Sequence, residues 1–228
     1  MTVKSLINRA LLRIRSRLPG GPNHFLRHVT GVIHVGASTG QERELYAAHR
    51  LDVIWIEPIP EVFAKLEANI AAFPKQRAIR GLVSDFDGTP YSFNVANNNG
   101  QSSSIYALKH HAEIWPHVRY ERTIEMRAET LPSILQRHAV DRGRHQALVL
   151  DTQGSELLVL RGAIPVLADF AYIKVEASDF ELYEGCCELS DLSRFLAQHG
   201  FSELSRHCFA TSPRGGHCFD VVFGRRAG

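Results

Sequence analysis

Acidic residues are absent from the start of the chain. No Asp or Glu precedes Glu42, although Lys4, Arg9, Arg13, Arg15, Arg17 and Arg27 do. Over the full 228 residues the charges nearly cancel, with 26 Lys and Arg against 24 Asp and Glu. The balance therefore gives no electrostatic case for a nucleic-acid partner. Cysteine is sparse: Cys186, Cys187, Cys208 and Cys218 form no C-x-x-C pair and fall short of a secreted disulfide scaffold. Reduced thiols and a cytoplasmic location are the expectation. Long apolar runs are missing too. Nothing approaches the roughly 18 residues that would read as a membrane-spanning helix. Arginines interrupt every candidate signal core, so no secretory leader is expected. No internal repeat is visible.

Turning to what is present, Val3, Leu6, Ile7, Ala10, Leu11, Ile14 and Leu18 recur at helical spacing with basic residues between them. Pro19-Gly20-Gly21-Pro22 stops that helix. Such a helix either packs on its own domain or on a second copy of the chain, or makes peripheral contact with an anionic membrane through residues 3–18. The chain accordingly divides into an N-terminal helix with its linker, residues 1–22, and one domain, residues 23–228. A domain of this length can bury a substantial core.

The domain is organised around Val32-Ile33-His34-Val35-Gly36-Ala37-Ser38-Thr39-Gly40. An apolar β-branched run ends on one glycine, a second follows four residues later, and an amphipathic run begins at Gln41. That pattern predicts a buried strand turning sharply into a helix, with a backbone a ligand can approach closely. A second apolar run, Val53-Ile54-Trp55-Ile56, ends on Glu57, a carboxylate placed to accept from ribose hydroxyls. Further along, the patterns predict helices at residues 41–50, 61–72 and 131–137 and a strand at 76–83. They also predict a β-hairpin addition beginning at 90–95 and a strand at 120–127. Between those two strands lies the small polar loop Ala96-Asn97-Asn98-Asn99-Gly100-Gln101-Ser102-Ser103-Ser104. The strand Ala147-Leu148-Val149-Leu150 ends on Asp151, a helix runs to Leu167, and a buried strand at 171–175 ends on Glu176. A helix at 189–199 and a closing antiparallel pair, 201–209 with 217–223, complete the domain. Alternating strands and helices predict a mainly parallel α/β sheet.

Four stretches, in this order, resemble the FkbM family of S-adenosylmethionine-dependent methyltransferases, over about residues 30–223. The first, His34 to Gly40, is similar to the family's D-V-G-A-N-x-G. The second is Ile56-Glu57-Pro58, followed by Phe63, Leu66 and Asn69. The third is Asn99-Gly100-Gln101-Ser102-Ser103-Ser104-Ile105, and the fourth is Asp151-Thr152-Gln153-Gly154-Ser155-Glu156 with Leu160-Arg161-Gly162-Ala163. Glu176 and Tyr183-Glu184-Gly185 also sit as the family has them. The resemblance implies a Rossmann-like class I methyltransferase: a seven-stranded, mostly parallel sheet with an antiparallel last strand and helices on both faces. It also implies S-adenosyl-L-methionine as cofactor. Two positions depart from the pattern. His34 stands where an acid is usual, and Gln153 where Glu is usual.

The expected cofactor contacts are His34, Gly36, Ala37, Ser38, Gly40, Glu57, Pro58, Asp85, Ser103, Ser104 and Asp151. Among them, Asp85 would accept from the adenine amino group, with Phe86 available to pack on the ring. The expected catalytic groups are Asp151 and Glu176, at the carboxyl ends of adjacent strands, and His110 or His111 after the polar loop. Glu156 is either part of the site or a helix-start carboxylate. No metal is assigned, although Asp151, Glu176 and Asp179 offer carboxylates for a divalent ion. A zinc site from His207-Cys208 and His217-Cys218 is awkward, because adjacent strand residues face opposite ways. The expected activity is O-methylation of a hydroxyl on a small molecule or glycan, with homo-oligomerisation left open. The alternatives are a nicotinamide-dependent oxidoreductase, which would want glycine where Ser38 stands, and a non-catalytic methyltransferase-like binding module.

Overall fold

The β-branched run after Thr30 forms β1 (Gly31–Val35), buried at every position, and its neighbours are the other apolar runs. A computed structural model describes residues 21–226, so the amphipathic helix expected at 3–18 lies outside the described residues. On one side β1 pairs in parallel with β2 (Asp52–Glu57), which pairs with β3 (Gln76–Arg80). On the other it pairs with β7 (Ala147–Leu150), which pairs with β8 (Tyr172–Ser178). The closing strands are β9 (Phe201–Thr211) and β10 (His217–Arg225). β10 runs antiparallel between β8 and β9, giving the order β3-β2-β1-β7-β8-β10-β9. This is the seven-stranded, mostly parallel sheet with an antiparallel strand among its last pair that the resemblance implies. Strand order reverses between β1 and β7, and open α/β sheets bind ligands at the carboxyl ends beside that reversal.

Strand period two sends alternate residues to opposite faces, and both faces are covered. Ile33, Val35, Leu148, Leu150, Ile173 and Val175 pack with α4 (Leu131–Arg137), α5 (Glu156–Gly162) and α6 (Leu189–Gln198) through Ile134, Leu160 and Leu192. Val32, Val53, Trp55 and Val149 pack on the other side with Tyr46 of α1 (Arg43–Ala48) and Leu66 of α2 (Pro60–Ile70). No helix of the described residues is long and apolar enough to cross a membrane.

Three elements differ from the periodicity. The strand expected at 76–83 breaks at Gly81, whose N–H bonds Glu57 O. Its second half, β4 (Leu82–Val83), joins a separate sheet. There β6 (Tyr120–Glu129) lies between β4 and β5 (Pro90–Ala96). β5 and β6 pair antiparallel, as expected of the hairpin addition, but residues 97–119 connect them, including the one-turn helix α3 (His111–Ile114). The helix expected to reach Leu167 stops at Gly162 and continues as a 3₁₀ segment, Ile164–Asp169. Pro165 lacks the N–H an α-helix would need there. The strand expected to end on Glu176 continues to Ser178, because β10 pairs with it further than β7 does.

One close approach holds the β1–β7 junction. Gly36 has φ +80°, and a Cβ built on it would lie 1.8 Å from the backbone oxygen of Asp151. Asp151 N in turn bonds Val35 O at 3.0 Å. Gly36→Ala is therefore expected to cost at least about 3 kcal/mol, from strained φ plus a clash with backbone that has no rotamer to yield. Urea unfolding should show the loss as a lowered midpoint.

Candidate active site

A cavity of about 410 Å³ opens at the carboxyl ends of β1, β2, β7 and β8. Of the residues expected in the site, His34, Gly36, Ala37, Ser38, Glu57, Pro58, Ser103, His111, Asp151 and Glu176 line it. Four predicted residues do not. Gly40 packs under Leu66. Asp85 lies beyond the cavity wall formed by Gly81, Leu82 and Val83, where its Oδ1 accepts from Ser84 Oγ, and Phe86 beside it is exposed to solvent. The break at Gly81 explains this: the chain leaves the large sheet before reaching Asp85. Ser104 is fully buried and donates to Gln153 O at 2.7 Å, fastening the polar loop to the next turn. His110 faces Glu113, with Nδ1 2.9 Å from Oε1, and points its chemistry outside the cavity. The rest of the polar loop, which the sequence does not assign to the site, adds Asn98, Gly100, Gln101 and Ser102 to the wall.

Glu57 is buried where β2 ends. Its Oε2 accepts from Ser38 N at 2.9 Å and its Oε1 from Ile59 N at 3.0 Å. Burial pushes its carboxyl up to about 7. The carboxylate thus braces the glycine turn and still has lone pairs free for donors in the cavity. His34, at the usual acid position, stacks on Trp55 at 5.0 Å between ring centroids, and its Nδ1 lies 3.1 Å from Tyr46 Oη. Burial, then the charge of Lys174, lowers its pKa to about 3, so the ring is neutral. Glu42, which sequence reasoning took only as part of a helix, shares the cavity wall with it.

The floor of the cavity holds the densest chemistry. Gln153 Nε2 donates to Asp151 Oδ1 at 2.5 Å and to Glu176 Oε1 at 3.2 Å. Tyr183 Oη donates to Gln153 Oε1 at 2.5 Å, which fixes the amide with its N–H groups toward the acids. Burial raises both carboxyls above the usual range, and for Glu176 the neighbouring Asp151 adds to the rise. Glu156 stands outside this cavity. It accepts from Thr152 N at 2.7 Å and from Gly154 N, so its role is to cap the turn that presents Gln153. Asp179 is also elsewhere, bonded to His217, so the three-carboxylate set Asp151, Glu176 and Asp179 does not assemble. The last hairpin places Cys218 opposite Ala210 and Cys208 opposite Phe219. Among the described residues no cluster is arranged to hold a metal ion.

A family model described as the methyltransferase FkbM domain matches residues 34–203. The chain belongs to the FkbM methyltransferase family. Its methyl donor is S-adenosylmethionine, and membership removes the nicotinamide alternative. The 2-O-methyltransferase NoeI of Sinorhizobium fredii (strain NBRC 101917 / NGR234) is 25% identical over 162 residues, covering 68% of this chain. The match spans 65% of that relative's own length. An uncharacterised protein of Listeria monocytogenes serotype 4b has a similar fold, with TM-score 0.51 and 9% identity over 93% of this chain and 70% of that one. The precorrin-6y C5,15-methyltransferase of Geobacter metallireducens GS-15 superposes with TM-score 0.49 and 11% identity, over 96% and 87% of the two chains.

The residues present fit this cofactor. The cavity volume lies in the range of ligand pockets. Glu42, Glu57, Asp151 and Glu176 line it, and among the described residues no Lys or Arg does. That sign of charge suits a molecule carrying a sulfonium and an ammonium. His111 Nδ1, on a lining residue, is buried without a hydrogen-bond partner among the described residues. Glu57 would hold the ribose hydroxyls and the Gly36–Ser38 turn the methionyl portion.

Two outcomes follow for Glu57. Its pKa is raised to about 7, and only the ionised form accepts from two hydroxyls. Affinity for S-adenosylmethionine should therefore be level above pH 8 and fall toward pH 6, by at most tenfold per unit. Glu57→Ala should weaken binding by about 1–3 kcal/mol and flatten that dependence. Calorimetric titration at pH 6, 7 and 8 measures both.

Proposed function

We propose that this chain is an O-methyltransferase acting on a hydroxyl of a small molecule or glycan, with the Asp151–Glu176 pair as its base. The observation that carries the reading is the Gln153 amide held between those two carboxyls on the cavity floor. When bound, S-adenosylmethionine supplies a methyl group already activated on a sulfonium. The chain's own residues must align the acceptor oxygen in line with that methyl and take the hydroxyl proton.

A carboxyl raised by burial is better matched to this proton than an exposed one. Asp151 and Glu176 meet that condition, and Gln153 stabilises whichever of them is ionised. The proton leaving the acceptor oxygen passes to a carboxylate oxygen of the pair as the oxygen–carbon bond forms. His111 suits the task less well. Burial lowers its pKa to about 4, and its Nε2 is engaged with Ser102 Oγ at 3.1 Å. The 2-O-methyltransferase named above supports oxygen as the acceptor atom.

Glu176→Gln is expected to lower kcat by about 10²–10⁴-fold while S-adenosylmethionine still binds. Unchanged turnover would reject the pair as base. The pH–rate profile of the wild type should rise with pH through the raised pKa of the pair, because the ionised form is the active one. Gln153→Glu should move that rise to higher pH, since a third carboxylate beside the pair disfavours ionisation. Transfer of a radiolabelled methyl group to a hydroxylated acceptor reads both variants.

A further inference from the structure

Phe209 is the sole residue of β9 on the cavity wall, and it is 46% exposed. Its position comes from a break in the ladder. Ala210 pairs with Cys218 and Cys208 with Phe219, so Phe209 is the unpaired residue of a β-bulge. A bulge bends the strand and re-aims one side chain, and bulges recur beside active sites for that reason. Here it turns a large aromatic ring to the mouth of the cavity rather than into the adjoining core.

A second aromatic lines the same cavity from a different element. Trp115 follows α3 and packs against the buried His111 ring at 4.7 Å between centroids. The two walls are tied to one another. Ser212, in the β9–β10 turn, donates to Glu113 Oε2 at 3.2 Å, and Arg214 Nε lies 3.2 Å from Glu113 Oε1. His110 holds the same carboxylate from the other side. His110, one of the groups expected from sequence to be catalytic, is therefore part of the link between the two walls.

The remaining polar side chains toward solvent include no further carboxylate. Gln41, Gln101 and His117 are exposed residues of the lining, and among the described residues no Lys or Arg joins them. A phosphorylated or carboxylated acceptor would meet four carboxylates and, among the described residues, no lining Lys or Arg. A wholly apolar aromatic acceptor would leave the amide groups without partners.

We propose that Phe209 and Trp115 form the acceptor subsite, and that it takes a neutral saccharide. A sugar ring presents C–H bonds on one face, which pack on an aromatic ring whose face is electron-rich, and hydroxyls at its edge for the amides. This deepens the methyl-transfer reading above and rests on it.

The test uses the full chain saturated with S-adenosylhomocysteine. Trp115 fluorescence is the readout, since the chain has two tryptophans and Trp55 is fully buried. The probes are methyl glycosides of neutral hexoses and deoxyhexoses, N-acetylglucosamine oligomers, glucuronic acid, glucose 6-phosphate and catechol. At least one neutral saccharide should bind tenfold or more tightly than the two anions and catechol. Phe209→Ala should weaken that binding at least tenfold and leave S-adenosylhomocysteine affinity, measured by calorimetry, within twofold. Phe209→Trp should restore it and Phe209→Leu should not. Preference for an anion or catechol, no response to any neutral saccharide, or equal binding by Phe209→Ala overturns the proposal. Failure of the wild type to bind S-adenosylhomocysteine at all would instead strike the methyltransferase reading beneath it.

Discussion

The absence of one Cβ at Gly36 governs the working end of this protein. Because nothing projects there, the Asp151 carbonyl can lie against the β1 turn while Asp151 N bonds Val35 O. That contact sets the junction at which strand order reverses, and the cavity is the gap left above it. The other supports depend on the same turn. Glu57 braces it through Ser38 N, and the turn after β7 is held by Glu156. The polar loop then reaches across to the second turn through Ser104. Four chain segments distant in sequence are thus fastened at one point, by one backbone–backbone hydrogen bond and by side chains bonded to backbone groups.

Electrostatically the cavity is one-sided. Glu42, Glu57, Asp151 and Glu176 share a desolvated space that no Lys or Arg of the described residues lines, while Lys174 lies behind it, paired with Asp220 at 2.9 Å. Burial disfavours the charged form of each acid, and their mutual repulsion adds to it. Such a site binds a cation with little reorganisation and keeps carboxyls near the pKa useful for proton transfer. Gln153 moderates the repulsion at its most acute point. A Glu there would place a third carboxyl against Asp151 and Glu176 and require a proton or a cation between them. The amide satisfies both acids without either, and Tyr183 keeps it facing the right way.

Much of this was readable in one dimension. Strand period, β-branched runs and glycine turns located β1, β2, β7 and β8. The acids at their ends, Glu57, Asp151 and Glu176, meet in the cavity because parallel strands of one sheet end on the same side. The polar loop was also recognisable by composition. The misses share a cause. Asp85 was placed by counting along a strand that breaks at Gly81 and changes sheet. His110 and His111 were equivalent in sequence, and only the turn of α3 sends one ring into the cavity and the other to Glu113. Ser104 carried the family pattern but is used internally.

Local pattern and spacing therefore specified the α/β architecture, the glycine turn after β1 and the acids that meet in the cavity, since each depends on short-range conformational preference and on which strand ends align. Folding in three dimensions decided that Gln153 would bridge two carboxyls, that His34 would be neutral against Trp55, and that Phe209 would face the mouth. Those outcomes depend on a positive-φ turn, on desolvation and on a one-residue bulge. Each arises from contacts between distant segments, and none leaves a periodic trace along the chain.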